Sequence, residues 1–267
     1  MRRLRQRKPH SAIETATMPE LDLTSIEQTL RECGVTGPTL SPAEKDALDR
    51  EGYVVFRDVV HADWLARLRV AFENACVSSV GAVKESGTRH ANDLVNLDSV
   101  FESVYTHPRL LAAVDHVLQV PFRLAQINGR EPLPGYGQQG LHADWTARAR
   151  GEPYRIVTSI WLLDDFTGDN GATRLVPGTH MLLTPPPKSL ADPASRHKDQ
   201  RIIAAPAGSV LVFNGHLWHS GTRNKTDHRR RVLQCSFVGR EETRFARIKV
   251  QNAERLSSPA RSILGET

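Results

Sequence analysis

Cysteine is scarce in this chain. Cys33, Cys76 and Cys235 are the only three in 267 residues, too few and too widely spaced for a disulfide framework or a cysteine-based zinc cluster. A chain of this length can bury a core large enough to fold without such staples, so a reducing, cytoplasmic setting is the expectation. Long apolar runs are missing too. Nothing approaches the roughly 18 to 20 residues of a membrane span, and the N-terminus has no apolar stretch to serve as a secretory signal. A phosphate-binding glycine loop, a dinucleotide fingerprint and an internal repeat are all absent. The chain therefore reads as neither membrane-spanning nor secreted, and as no P-loop, Rossmann or solenoid protein.

What is present is ordinary globular composition, 39% hydrophobic and 24% charged, with a net charge of +5. Much of that charge lies in the opening MRRLRQRK, four arginines and one lysine, which reads as a solvated tail. Residues 1–40 are polar, with at most a short helix over 23–31, and are set apart as an appendage, partly disordered. The run SPAEKDALDREG then carries a helix signature: Ser41 as N-cap, Pro42 at the first helical position, Glu44 to close a capping box and Gly52 as a stop. A β-rich run follows at 53–60, and Trp64, Leu65, Leu68, Phe72 and Ala75 recur at helical spacing up to about 78. A further helical region spans 100–118, broken by Pro108.

From about 121 the texture changes to short β-runs separated by glycine, proline and asparagine turns: PFRLAQINGRE, PYRIVTSIWLLDDF, ATRLVP, QRIIAAP, GSVLVFNG and RRRVLQCSFV. Strands of this kind preceded by helices predict a mainly β sandwich or barrel with helices packed on one face. In GLHADW, His142 and Asp144 stand two apart, and on a strand residues i and i+2 share a face, so both could reach one metal ion. A third ligand is available in the connection leaving GSVLVFNG, where His216 and His219 are both candidates. Two histidines and one carboxylate leave open positions on iron(II); zinc is ordinarily tetrahedral. These residues alone do not choose between the two metals, or between the two histidines.

The order His142-x-Asp144, NGATRLVPGTH, AGSVLVFNGHLWHSG and NKTDHRRRVLQCSF resembles the phytanoyl-CoA dioxygenase family of iron(II)- and 2-oxoglutarate-dependent oxygenases, over about residues 41–239. In that family an asparagine-containing turn and then an arginine follow the distal histidine, the arginine eleven positions on. Counted from His219, Asn224 and Thr226 fall at the turn and Arg230 at the arginine; counted from His216, the eleventh residue is Asp227. The resemblance thus implies a double-stranded β-helix, or cupin-like jelly roll, over 41–240 with a C-terminal extension over 241–267. It further implies iron(II) held by His142, Asp144 and His219, and 2-oxoglutarate held through its remote carboxylate by Arg230, with Arg229 as the fallback if the register slips. A guanidinium suits that role because its planar fork pairs with a carboxylate and stays charged when buried.

By the same resemblance Gln126, Asn128 and Thr158 (or Ser159) are cosubstrate contacts and Trp161 a wall. The family often has glutamine where this chain has Ala143, between the proximal ligands. If Arg230 points inward, alternation sends Val232 and Gln234 inward and leaves Arg229 and Arg231 as solvated flanks, which argues against a nucleic-acid patch. The implied activity is hydroxylation of an aliphatic C–H bond of a small molecule, consuming O2 and releasing succinate and CO2, with ascorbate as a possible stimulant, in a monomer or homodimer with no nucleic-acid or membrane partner. Rival readings are a catalytically silent jelly roll that only binds a ligand and a zinc hydrolase. The loop 181–200 and the segment 80–96 are candidate lids.

Overall fold

The computed structural model describes residues 23–78 and 86–266. The basic tail and the first part of the 80–96 segment lie outside the described residues. Helices α1 (Leu23–Glu32) and α2 (Pro42–Arg50) precede strand β1 (Tyr53–Phe56) and helix α3 (Ala62–Ser78). The capping box at α2 forms as its sequence predicts: Glu44 N–H donates to Ser41 Oγ at 3.3 Å while Ser41 N–H donates to the Glu44 carboxylate at 2.8 Å. Gly52 stops the helix with φ +82°, and a β-carbon there would also overlap the His180 ring. Helix α3 buries Trp64, Leu65, Leu68, Phe72 and Ala75, the periodic set read from the sequence.

Strand β2 (Thr88–Ala91), short helices α4 (Leu94–Leu97) and α5 (Glu102–Tyr105), and α6 (Pro108–Leu118) lead into the β region. Pro108 ends the first helical stretch by opening the next, at a position whose N–H would lack a helical partner anyway. The strands that follow are β3 (Phe122–Pro132), β4 (Ile156–Leu162), β5 (Thr173–Val176), β6 (Arg201–Ile202), β7 (Val210–Asn214), β8 (Trp218–Gly221) and β9 (Val232–Gly239); helix α7 (Ser258–Leu264) comes last. They form an antiparallel six-stranded sheet in the order β1-β7-β4-β9-β3-β2 and a three-stranded sheet in the order β6-β5-β8. The fold is a jelly roll with flanking helices.

Helices cover the outer face of the large sheet. Leu68, Phe72, Leu110, Leu111 and Val114 pack in one core with Val157, Trp161, Leu233, Cys235 and Phe237. A second core, with Ile160, Leu175, Leu211, Phe213 and Val232, lies between the two sheets. Every residue of β4 is buried because both its faces are covered. Ile26, Leu30 and Leu40, from the stretch set apart as an appendage, join the helical core, as do Ala260, Ile263 and Leu264 of α7. Thr29 and Ser262 share a hydrogen bond of 2.7 Å where α1 meets α7.

Candidate metal centre and active site

The fold brings the three expected ligands together by a local geometry different from the expected one. His142 is not part of a multi-residue strand. It makes a single bridge to His219, its N–H donating to the His219 carbonyl at 3.0 Å and its carbonyl accepting the His219 N–H at 2.8 Å. His219 lies within strand β8, which the sequence reading took for a connection. Asp144 is held from its backbone, its N–H donating to the Gly215 carbonyl at 2.7 Å. A β-carbon at Gly215 would press on Ile156 and on the Asp144 side chain, so that corner requires glycine.

The ring nitrogens are assigned by their neighbours. His142 Nδ1 lies 3.0 Å from the Gly140 carbonyl and His219 Nδ1 2.8 Å from the Leu217 carbonyl. A carbonyl only accepts, so each Nδ1 carries a proton, and each Nε2 is left to offer its lone pair to a metal when the ring is neutral. His219 Nε2 stands 3.4 Å from Asp144 Oδ1, and one ligand atom from each of the three residues falls within 4.8 Å of the others. Among the described residues no other group of three or more such side chains meets this spacing. Two neutral imidazole nitrogens and a carboxylate form a donor set that fits a divalent cation.

Burial works against charge on all three groups. It holds the His142 pKa down, with His219 adding to the effect. At Asp144 burial pushes the carboxyl up but the adjacent His219 outweighs it, and the net shift is downward; the same pairing raises His219 against its own burial. His216 is not in the cluster. Its Nε2 accepts the Arg155 N–H at 3.3 Å, and burial, aided by Arg148, pushes its pKa down to about 4.

Asp144 is steadied by a chain of hydroxyls. Thr158 Oγ1 lies 2.7 Å from Asp144 Oδ2 and 3.2 Å from Ser236 Oγ, which accepts from Gln126 Nε2 at 3.3 Å. The carboxylate can only accept, so Thr158 donates to it, Ser236 to Thr158 and Gln126 to Ser236. Gln126 and Thr158, expected as cosubstrate contacts, thus orient a proposed metal ligand in this structure. Asn128 is half-buried and pairs in register with Gln234. Ser236 was missed; its signal was parity, since 230, 232, 234 and 236 share a face. Trp161 is no cavity wall: it is buried on the outer face among Trp64 and His107, and Ser159 lies beside it, accepting from its indole N–H at 3.2 Å.

A cavity of about 130 Å³ between the sheets is lined by the three clustered residues and by Arg130, Thr173, Gln234 and Arg230, among others. Arg230 is 2% exposed, its guanidinium 4.4 Å from the Phe166 ring centre and its Nη2 3.4 Å from Thr173 Oγ1. Val232 and Gln234 line the same cavity, as alternation requires. Arg231 corrects the expectation of solvated flanks: its side chain is 11% exposed and pairs with Asp164 at 2.7 Å. The opposite face of that segment looks toward α3, not water. Arg229 is half-exposed yet also paired, with Glu131 and Glu73, each at 2.7 Å.

The phytanoyl-CoA dioxygenase family profile matches residues 48–232. This chain belongs to that family. Among curated family relatives, the dioxygenase trt7 of Aspergillus terreus is 29% identical over 75% of this chain and 74% of its own length. HygX of Streptomyces hygroscopicus, solved with nickel, 2-oxoglutarate and hygromycin B, shares the fold with a TM-score of 0.64 at 20% identity, covering 80% of this chain and 94% of its own. The non-heme alpha-ketoglutarate-dependent epimerase SnoN of nogalamycin biosynthesis has a TM-score of 0.57 at 18% identity, covering 74% of this chain and 82% of its own. No helix among the described residues is long and apolar enough to cross a membrane.

Proposed function

We propose that this family member is an iron(II)- and 2-oxoglutarate-dependent oxygenase that hydroxylates an aliphatic C–H bond of a small molecule, with 41–240 as its catalytic domain. The observation that carries the reading is one cavity with a His-His-Asp donor set and a buried guanidinium, Arg230, in its lining. His142, Asp144 and His219 would hold the metal on one face and leave positions open opposite. Arg230, with Thr173 Oγ1 beside it, would pair with the far carboxylate of the cosubstrate. Ile160, Phe213 and Val232 supply the apolar part of the lining and would strengthen that pairing. The cavity is smaller than the ~300 Å³ at which drug-sized sites begin, so it suits a small dicarboxylate and leaves the substrate to sit at the mouth. When bound, iron(II) and 2-oxoglutarate supply the oxidation: O2 is consumed as 2-oxoglutarate becomes succinate and CO2, and the second oxygen atom goes to the substrate.

A zinc hydrolase would need a general base beside the ligands, and among the described residues no carboxylate other than Asp144 lines the cavity. The test is succinate release with iron(II), 2-oxoglutarate and ascorbate across a small-molecule panel, with product mass read in parallel. Gain of one oxygen atom supports hydroxylation; succinate with an isomeric product would replace it with epimerisation. His142→Ala and Asp144→Ala should each abolish succinate formation, and wild-type turnover in either would remove the proposed metal site.

A further inference from the structure

Three consecutive arginines enter β9, and only the middle one faces the cavity. The ladder of β9 begins only at Val232, opposite Arg130 and Leu162, so residues 229–231 lie just outside it. On the opposite face carboxylates hold the two flanking arginines. Asp164 grips Arg231 three times: Oδ2 accepts the backbone N–H at 2.8 Å and Nε at 2.8 Å, while Oδ1 accepts Nη2 at 2.7 Å. The Leu163 N–H returns a bond to the Arg231 carbonyl at 3.0 Å. On the other side, Glu131 takes Arg229 Nε at 2.7 Å and Nη2 at 2.9 Å. Glu73 of α3 ties both together, accepting Arg229 Nη2 at 2.7 Å and Arg231 Nη1 at 3.1 Å. Arg89 of β2 closes the array on Glu131 at 2.6 Å and Glu73 at 2.8 Å.

The array is buried at Glu131, Asp164 and Arg231, whose side chains are 4%, 14% and 11% exposed, while Arg229, Arg89 and Glu73 reach water. Burial alone would raise the Asp164 carboxyl, but its hydrogen bonds from Arg231 outweigh that and hold it below the usual range. A one-residue slip in a β-segment turns every side chain to the other face. Here a slip would put Arg229 or Arg231 where Arg230 stands, with a guanidinium still inside but from a displaced backbone. Buried ion pairs that contribute little net stability can still fix one register over its neighbours.

We infer that Asp164, Glu131 and Glu73 are positioning residues for 2-oxoglutarate capture, locking the chain on both sides of Arg230 so that this arginine alone enters the cavity. The inference rests on Arg230 being the carboxylate clamp. None of the three acids is in the cavity lining; they would act through Arg229 and Arg231, by the Arg231 backbone N–H at Asp164 and by the two side chains at Glu131 and Glu73.

The test measures 2-oxoglutarate binding to the nickel-loaded protein by titration calorimetry, alongside the KM for 2-oxoglutarate in succinate release. Asp164→Asn and Glu131→Gln should each weaken binding roughly tenfold, the scale of coupling within one hydrogen-bonded network. KM should rise in step, while kcat at saturating 2-oxoglutarate and nickel affinity hold. Arg231→Lys, which keeps the charge but loses the fork, should fall between these variants and wild type. Unchanged 2-oxoglutarate affinity in Asp164→Asn and Glu131→Gln, with Arg230→Lys weakened, overturns the positioning role. Parallel loss of nickel binding and kcat overturns it too, by showing general damage. Should Asp164→Asn not fold, Arg229→Gln at the half-exposed end gives the same reading. Unchanged affinity in Arg230→Lys sinks the clamp assignment itself, a separate failure.

Discussion

Thr158 has one hydroxyl proton, and it goes to Asp144 at 2.7 Å. That bond holds the carboxylate rotamer in which Oδ1 points toward His219. Partners of this kind usually change metal affinity by about 10- to 100-fold when lost. Thr158→Val keeps the shape and removes the donor, so it should weaken iron(II) or nickel binding by about that factor with little change in fold. Competition against a chelator reads the affinity, and a thermal melt checks the fold; unaltered affinity would show that the chain from Gln126 through Ser236 does not steady the ligand. Strand alternation says only that Thr158 and Ser159 face opposite ways, and the sequence left open which of them points inward. The partner of Thr158 was open too, because Asp144 reaches it through a long connection that no local pattern describes.

Helix α2 shows how far local chemistry carries an element. Ser41, Pro42, Glu44 and Gly52 each do in the structure what their types and spacing predict. Ser41→Ala should cost about 1 kcal/mol, the usual worth of an N-cap oxygen, seen as a lower midpoint in urea without change in slope. A midpoint equal to wild type would mean Glu44, which also binds Arg109 of α6, holds the helix end by itself. Strand β8 is the opposite case. Its four residues between glycine-bearing turns carry no strand signal, and they become a strand because β5 pairs with them from Thr173 to Val176. The bridge that places His142 is likewise made by a partner distant in sequence.

Across the whole molecule, helices and sheet meet at an aromatic contact that makes stability depend on pH. His107 stacks on Trp64 of α3 at 6.2 Å between ring centres and meets Trp161 of β4 edge-on at 5.5 Å. Burial, with the charge of Arg109 second, pushes its pKa from 6.5 down to about 4. In that window the unfolded chain binds the proton and the folded one does not, so the contribution is fully present above about pH 6.5 and is lost as pH falls toward 4. At about 1.4 kcal/mol per pH unit, His107 should account for about 2 kcal/mol of stability lost between pH 7 and 5. His107→Phe should remove that share in urea unfolding at the two pH values; an unchanged pH slope would refute the assignment.

By itself the sequence determined the mainly β class with helices before it, the helix ends at Ser41, Gly52 and Pro108, and which residues along a strand share a face; the preference for His219 over His216 came only with the family resemblance. The former follow from rules that act over a few positions: caps and periodicity. Only the tertiary structure decided that His142 and His219 meet through a two-residue bridge, that Gln126 and Thr158 serve Asp144, and that Arg231 is buried in ion pairs and not solvated. Each depends on what covers a face. Alternation says which way a side chain points, but whether it meets water, a helix or a carboxylate is set by chain segments far away in sequence.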